Sequence, residues 1–339
     1  MLGVAVGWEV VTGVKLKGEN AAQLALRLQR ATELTSMDAA GEKPWHLKLE
    51  VQEFDSDGKP GETATVEEWW ASETLNKVTY TNASYTGTEV RNGANTFRTA
   101  GWGGVSQVSI MMRRQMVHPM PTADEMQGAK LEERTESFGK VKLDCVMVGE
   151  EIRGVLYPPF GLFPMYCMEP KADWLRLTFD FGSLLVVRNK IGTFRERSVP
   201  LEMGANANGK PLATAKVVAL QTVALTEADF VLGDELTKGG DAPTLIASGV
   251  VAGRLIKPSA VPVFPQAAKN RHASGAVVMR AILGRDGHVH QLRLKSYPDG
   301  DLAISALWAV RQWKYTPYLL KGEPVEVDTT ITVNFNYSN

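Results

Sequence analysis

Apolar residues recur at three- and four-residue intervals from Asn20 to about Met37, through Ala21, Leu24, Leu28, Ala31 and Leu34. That is the period of an amphipathic helix. The period then drops to two, as Trp45, Leu47, Leu49 and Val51 alternate with His46, Lys48, Glu50 and Gln52, and Asp55 to Gly58 supplies a turn. A half-buried strand has this alternation. Further strands follow over Glu62–Trp70, Lys77–Tyr80, Ala83–Arg91 and Ala94–Thr99, the last two joined by Asn92-Gly93, which tolerates the positive φ angles of a type I′ turn. The pattern predicts an antiparallel meander.

A second helical stretch interrupts the strands at Val105–Val117, where Val108, Met112 and Met116 share a face and Met111 lies beside them. Such a methionine cluster reads either as gap-filling core or as the lining of an adaptable apolar groove. Strands resume over Gly139–Val148, around Phe163–Met168, and over Leu175–Asp180, Ser183–Asn189, Arg195–Met203 and Ala213–Leu225. Two of them hold Cys145 and Cys167, at a spacing that suits adjacent hairpin strands. One disulfide in an oxidising compartment and two buried free thiols are both compatible with that pair.

A polar, glycine-containing stretch between Leu232 and Ala247 marks a boundary. Beyond it, Pro262–Ala268 opens a short helix, Ala276–Leu283 and His288–Ser296 are strands around the turn Gly284–Gly287, and Asp301 is placed to cap a helix that aligns Leu302, Ala306, Ala309 and Trp313. The last strand alternates most regularly: Val327, Thr329, Ile331, Val333 and Phe335 against Asp328, Thr330, Thr332, Asn334 and Asn336. The expected fold is α+β in two domains. Residues 1–232 form a curved antiparallel half-barrel with helices, 233–248 a linker, and 249–339 a small domain of three antiparallel strands and two helices.

The motifs Phe264-Pro-Gln-Ala-Ala, Ser274-Gly-Ala-Val-Val, Gly284-Arg-Asp-Gly-His-Val, Ala306-Leu-Trp-Ala-Val-Arg-Gln-Trp-Lys-Tyr-Thr-Pro317 and Val325-Glu-Val-Asp-Thr-Thr-Ile-Thr-Val-Asn-Phe335 stand in one order. Together they resemble the C-terminal domain of the TonB energy-transducer family. The resemblance implies a periplasmic protein that binds a short segment of outer-membrane transporters as an added strand, with an ExbB/ExbD-like motor as a further partner. Val327–Asn336 is then the candidate edge, since an unpaired strand offers its amides and carbonyls to an extended peptide. The first domain resembles, by strand pattern, the half-barrel of the LolA lipoprotein carriers. That likeness implies an acyl-binding groove at Val108, Met111, Met112 and Met116, and so an alternative reading as a lipid or lipoprotein carrier.

Composition narrows the field. With 37 basic and 38 acidic residues the formal net charge is −1, which gives no field to gather nucleic acid. No run approaches the roughly 20 apolar residues of a membrane-spanning helix, and Met1–Trp8 is apolar but has no basic flank, so it reads as a missing or truncated signal peptide. His288 and His290 share a strand face, but two ligands make no metal site. No cofactor motif and no catalytic constellation can be traced, so a non-enzymatic protein is expected.

Overall fold

The computed structural model describes residues 20–337 except 56, 101, 171, 181–183, 240–243 and 257–259. The Met1–Trp8 stretch therefore lies outside the described residues. Helix α1 (Ala21–Thr35) is followed by strands β1 (Trp45–Phe54), β2 (Pro60–Ser72), β3 (Leu75–Thr81), β4 (Thr86–Asn92) and β5 (Asn95–Thr99). Helices α2 (Gln107–Val117) and α3 (Ala123–Met126) lead to β6 (Lys130–Phe138), β7 (Val141–Gly149), β8 (Met165–Met168), β9 (Leu175–Asp180), β10 (Leu184–Phe194), β11 (Arg197–Ala207) and β12 (Lys210–Thr222). Then come β13 (Leu236–Gly239), β14 (Thr244–Leu245), α4 (Ser248–Ala252), α5 (Gln266–Asn270), β15 (Gly275–Leu283), β16 (Val289–Ser296), α6 (Gly300–Val310), β17 (Tyr318–Leu320), β18 (Glu323–Val325) and β19 (Val327–Phe335).

These strands build one open 13-stranded sheet in the order β13-β5-β4-β3-β2-β1-β12-β11-β10-β9-β8-β7-β6, and a 4-stranded sheet in the order β14-β19-β15-β16. The architecture is α+β and largely antiparallel, with few helices; among the described residues the one parallel pair is β14 with β19. The stretch expected to be a linker thus contributes a strand to each sheet: β13 pairs with β5 and β14 with β19.

Helices α1 and α2 cover one face of the large sheet. Leu24, Leu28 and Ala31 of α1 pack on Val146, Val148, Tyr166 and Met168. Met112 and Met116 of α2 pack on Trp45, Leu47, Val66, Trp70 and Val186. Trp45 and Trp70 stack at 5.6 Å, and the Trp45 indole donates to the Met37 carbonyl at 3.0 Å. The opposite face of β7–β9, carrying Cys145, Cys167 and Leu177, is covered by the segment around Ile152–Phe163. One continuous apolar cluster runs from there into α6 and the small sheet. Covered on both sides, β7–β9 carry runs of consecutive buried residues rather than an alternation; Val146, Met147, Met165 and Tyr166 are all buried. Continuous apolar runs are what double coverage demands.

The seam between the two sheets is polar at its rim. Leu294 N–H donates to the Glu150 carboxylate at 3.0 Å, Arg153 N–H to the Tyr297 hydroxyl oxygen at 2.7 Å, and buried Arg311 to the Gly161 carbonyl at 2.7 Å. Gly300 sits so close to this rim that a Cβ there would lie 2.5 Å from the Arg153 carbonyl.

Several local expectations change. The α6 cap is Asp299, which accepts from Asp301 and Leu302 N–H, and Asp301 lies within the first turn. The helix ends at Val310, so Trp313 is beyond it, and its indole donates to Ala260 O at 2.6 Å. Strand β6 carries no apolar alternation, because an edge strand has less to bury, so its sequence does not mark it as a strand. The β17–β18 hairpin escaped for its shortness.

Candidate peptide-binding edge

Strand β19 is fixed on one side by β15, all nine residues pairing from Gly275↔Phe335 to Leu283↔Val327. Val327, Thr329, Ile331, Val333 and Phe335 point into the core, and Thr330, Thr332 and Asn334 are exposed. The other side of β19 is divided. Thr244 N–H donates to Glu326 O at 2.8 Å and Ile246 N–H to Asp328 O at 3.0 Å, while the Thr329 hydroxyl donates to Ile246 O at 2.9 Å. Past Ile246 the chain turns into α4, and among the described residues no strand runs on that side of Thr330–Phe335.

Backbone groups of alternate residues in a strand point to the same side. Since Glu326 and Asp328 turn theirs toward residues 244–246, Thr330, Thr332 and Asn334 turn their N–H and C=O groups the same way, into the open half. No charged side chain stands between Thr329 and Asn336. The charged member of the strand, Asp328, is at the capped end, where Arg280 pairs with it through Nε at 3.0 Å and holds its carboxyl below the usual carboxylate range. Asn336 follows the strand and is exposed.

The proposed groove residues lie elsewhere. Met112 and Met116 are fully buried under α2, and Val108 and Met111 are half-buried against the same cluster. Two polar latches hold the helix down. Arg113 makes a bidentate pair with buried Glu68, Nε to Oε2 at 2.8 Å. Gln115 accepts from Arg188 through its side chain at 2.7 Å and its carbonyl at 3.0 Å. Arg188 is fully buried, and desolvation pulls its guanidinium down to about 9. For an acyl chain to reach Met112 and Met116, α2 would have to lift off the sheet and break both latches. The sequence signal for the first latch was there: Glu68 interrupts the apolar face of Ala64, Val66 and Trp70.

Cys145 and Cys167 are opposed partners of β7 and β8 and form a disulfide. It lies in the cluster that joins the two sheets. The His290 Nε2–H donates to the Asp286 carboxylate at 2.9 Å, and Asp286 also accepts from His288 N–H at 2.9 Å, so these residues fasten the β15–β16 turn.

Residues 260–337 match the family model of the Gram-negative bacterial TonB protein C-terminal. Protein TonB of Vibrio cholerae is 32% identical over 101 residues, a match covering 27% of this chain and 41% of the relative. The chain therefore spans well under half of that relative's length. Among solved structures, a LolA superfamily protein from Nitrosomonas europaea aligns at a TM-score of 0.42 with 10% identity, over 62% of this chain and 97% of the other. A DUF1329 family protein from Desulfovibrio piger aligns at 0.34 with 9% identity, over 62% and 95%. The stretch from α5 to β19 thus carries the pattern of the TonB C-terminal family.

Proposed function

We propose that the protein works in the periplasm and docks on outer-membrane transporters by taking up an extended segment of theirs as a strand beside β19. One observation supports this most: among the described residues no strand pairs with β19 from Thr330 to Phe335 on the side away from β15, and that stretch bears no charge. An added strand there gains backbone hydrogen bonds and puts its side chains beside threonines and asparagine, a neighbourhood that favours β-branched and hydroxyl residues. Docking is the step proposed; work drawn from an ExbB/ExbD-like motor would come on top of it.

The test is calorimetric titration of the full chain with peptides from the periplasmic N-termini of transporters of the same genome. Wild type should bind at least one of them saturably. Thr332→Pro removes an outward N–H and leaves the β15 ladder intact, and should weaken that binding at least about tenfold, with the thermal melt of the chain retained. Equal binding by Thr332→Pro and wild type would rule out this edge.

A further inference from the structure

The half of the β19 edge that faces Glu326–Asp328 is closed by the chain itself. Residues 244–246 lie parallel to it, held by backbone hydrogen bonds that include 2.8 Å to Glu326 O and 3.0 Å to Asp328 O, and by the Thr329 hydroxyl at 2.9 Å from Ile246 O. Thr329 is buried, so its side-chain bond is shielded from competing water. The strap is also fastened upstream, where β13 pairs with β5 of the large sheet. It ends abruptly. At Ala247 the chain leaves the edge for α4, whose Val251 is buried in the shared core. Strap and open edge therefore meet at a sharp boundary between Asp328 and Thr330.

We propose that residues 244–246 are a register stop: they confine an added strand to the backbone groups of Thr330, Thr332 and Asn334, and so set both its length and its position. This rests on the strand-addition reading and adds what that reading leaves open, namely which part of a partner is read. At 3.3–3.4 Å per residue, the open stretch takes about six residues. Residues of the partner beyond the boundary meet the strap instead of a free edge. The ligand class is a short, uncharged, extended peptide, and a longer strand binds better only where the strap has been displaced. Ile246 and Thr329 thereby act as specificity-determining positions, although neither touches the peptide.

The experiment uses the full chain and two synthetic probes cut from one transporter N-terminal segment: a six-residue peptide, and a ten-residue peptide that extends it toward Asp328. Hydrogen exchange is followed in parallel. Wild type is expected to bind the two peptides equally, with Asp328 N–H protected and Thr330, Thr332 and Asn334 N–H exchanging fast. Ile246→Pro removes the donor to Asp328 O and should make the longer peptide bind about tenfold tighter than the shorter. Thr329→Val, which keeps the buried shape and loses only the hydroxyl, should give the same preference in weaker form.

A wild-type preference for the longer peptide, or rapid exchange at Asp328, would overturn the register stop while leaving strand addition intact. Failure of every peptide with wild type and both variants, despite a protected Asp328, would overturn strand addition and the stop with it.

Discussion

Two sheet edges of this molecule carry opposite chemistry. Strand β6 closes the large sheet and places Lys130, Glu132, Glu133, Arg134 and Glu136 along nine residues, with Glu133 paired to Arg27 of α1 at 3.2 Å and Glu132 to Arg134 at 3.0 Å. The open half of β19 has threonines, asparagine and apolar core residues only. Charges along an edge discourage any strand from joining it, because a partner would have to desolvate them. The first edge is thus guarded by its side chains, and the second is left available in one half and covered by the chain's own strap in the other. A sheet edge is left free to pair by what its sequence omits.

The contrast can be attacked from both sides. The largest effect should come from the β6 side, where β7 and β8 are joined covalently and the strands backing β19 are not. Replacing Cys145 and Cys167 by serine opens a link between residues 22 apart in sequence and should lower unfolding free energy by about 3 kcal/mol, read by denaturant titration. Peptide binding at β19 should change little in the variant that remains folded.

A smaller effect is expected from giving β19 the guard that β6 has. Thr332→Lys leaves all backbone donors in place, and should weaken peptide binding about threefold in the same titration, with the loss growing for basic peptides and shrinking in salt.

The smallest concerns Glu136. Partial burial pushes its carboxyl up, and Arg134 offsets this only in part. A folded-state value above the unfolded one means that Glu136 contributes stability at low pH and that this contribution is lost as pH rises through the folded value. Glu136→Gln should therefore stabilise the chain slightly at pH 7, by about 0.5 kcal/mol or less, and the gain should vanish near pH 4. Chemical denaturation at the two pH values measures it.

Much of the molecule was legible before its structure. The alternation in β1, β2, β15 and β19, the helical period of α1 and α2, and the opposition of Cys145 and Cys167 all follow from side-chain spacing, since period 2 and period 3.6 put residues on different faces. Other elements hid because their reasons lie in distant partners. Glu68 breaks the apolar face of β2 with no visible reason until Arg113 of α2 is laid over it. The apolar runs of β7–β9 look irregular until both their faces are seen to be covered. Asp301 reads as the cap of α6 in the sequence; the geometry of the loop from Tyr297 gave that place to Asp299.

What the sequence by itself determined is the face each residue presents and the pattern of the C-terminal segment, because both depend on spacing between near neighbours. Only the tertiary structure decided which edge stays open. Thr244–Ile246 carries no period that predicts a strand, and its place beside Asp328 comes from being held at both ends, by β13 on the large sheet and by α4 in the shared core. Local patterns set which groups can pair; the closure of long loops by other contacts sets which of them find a partner.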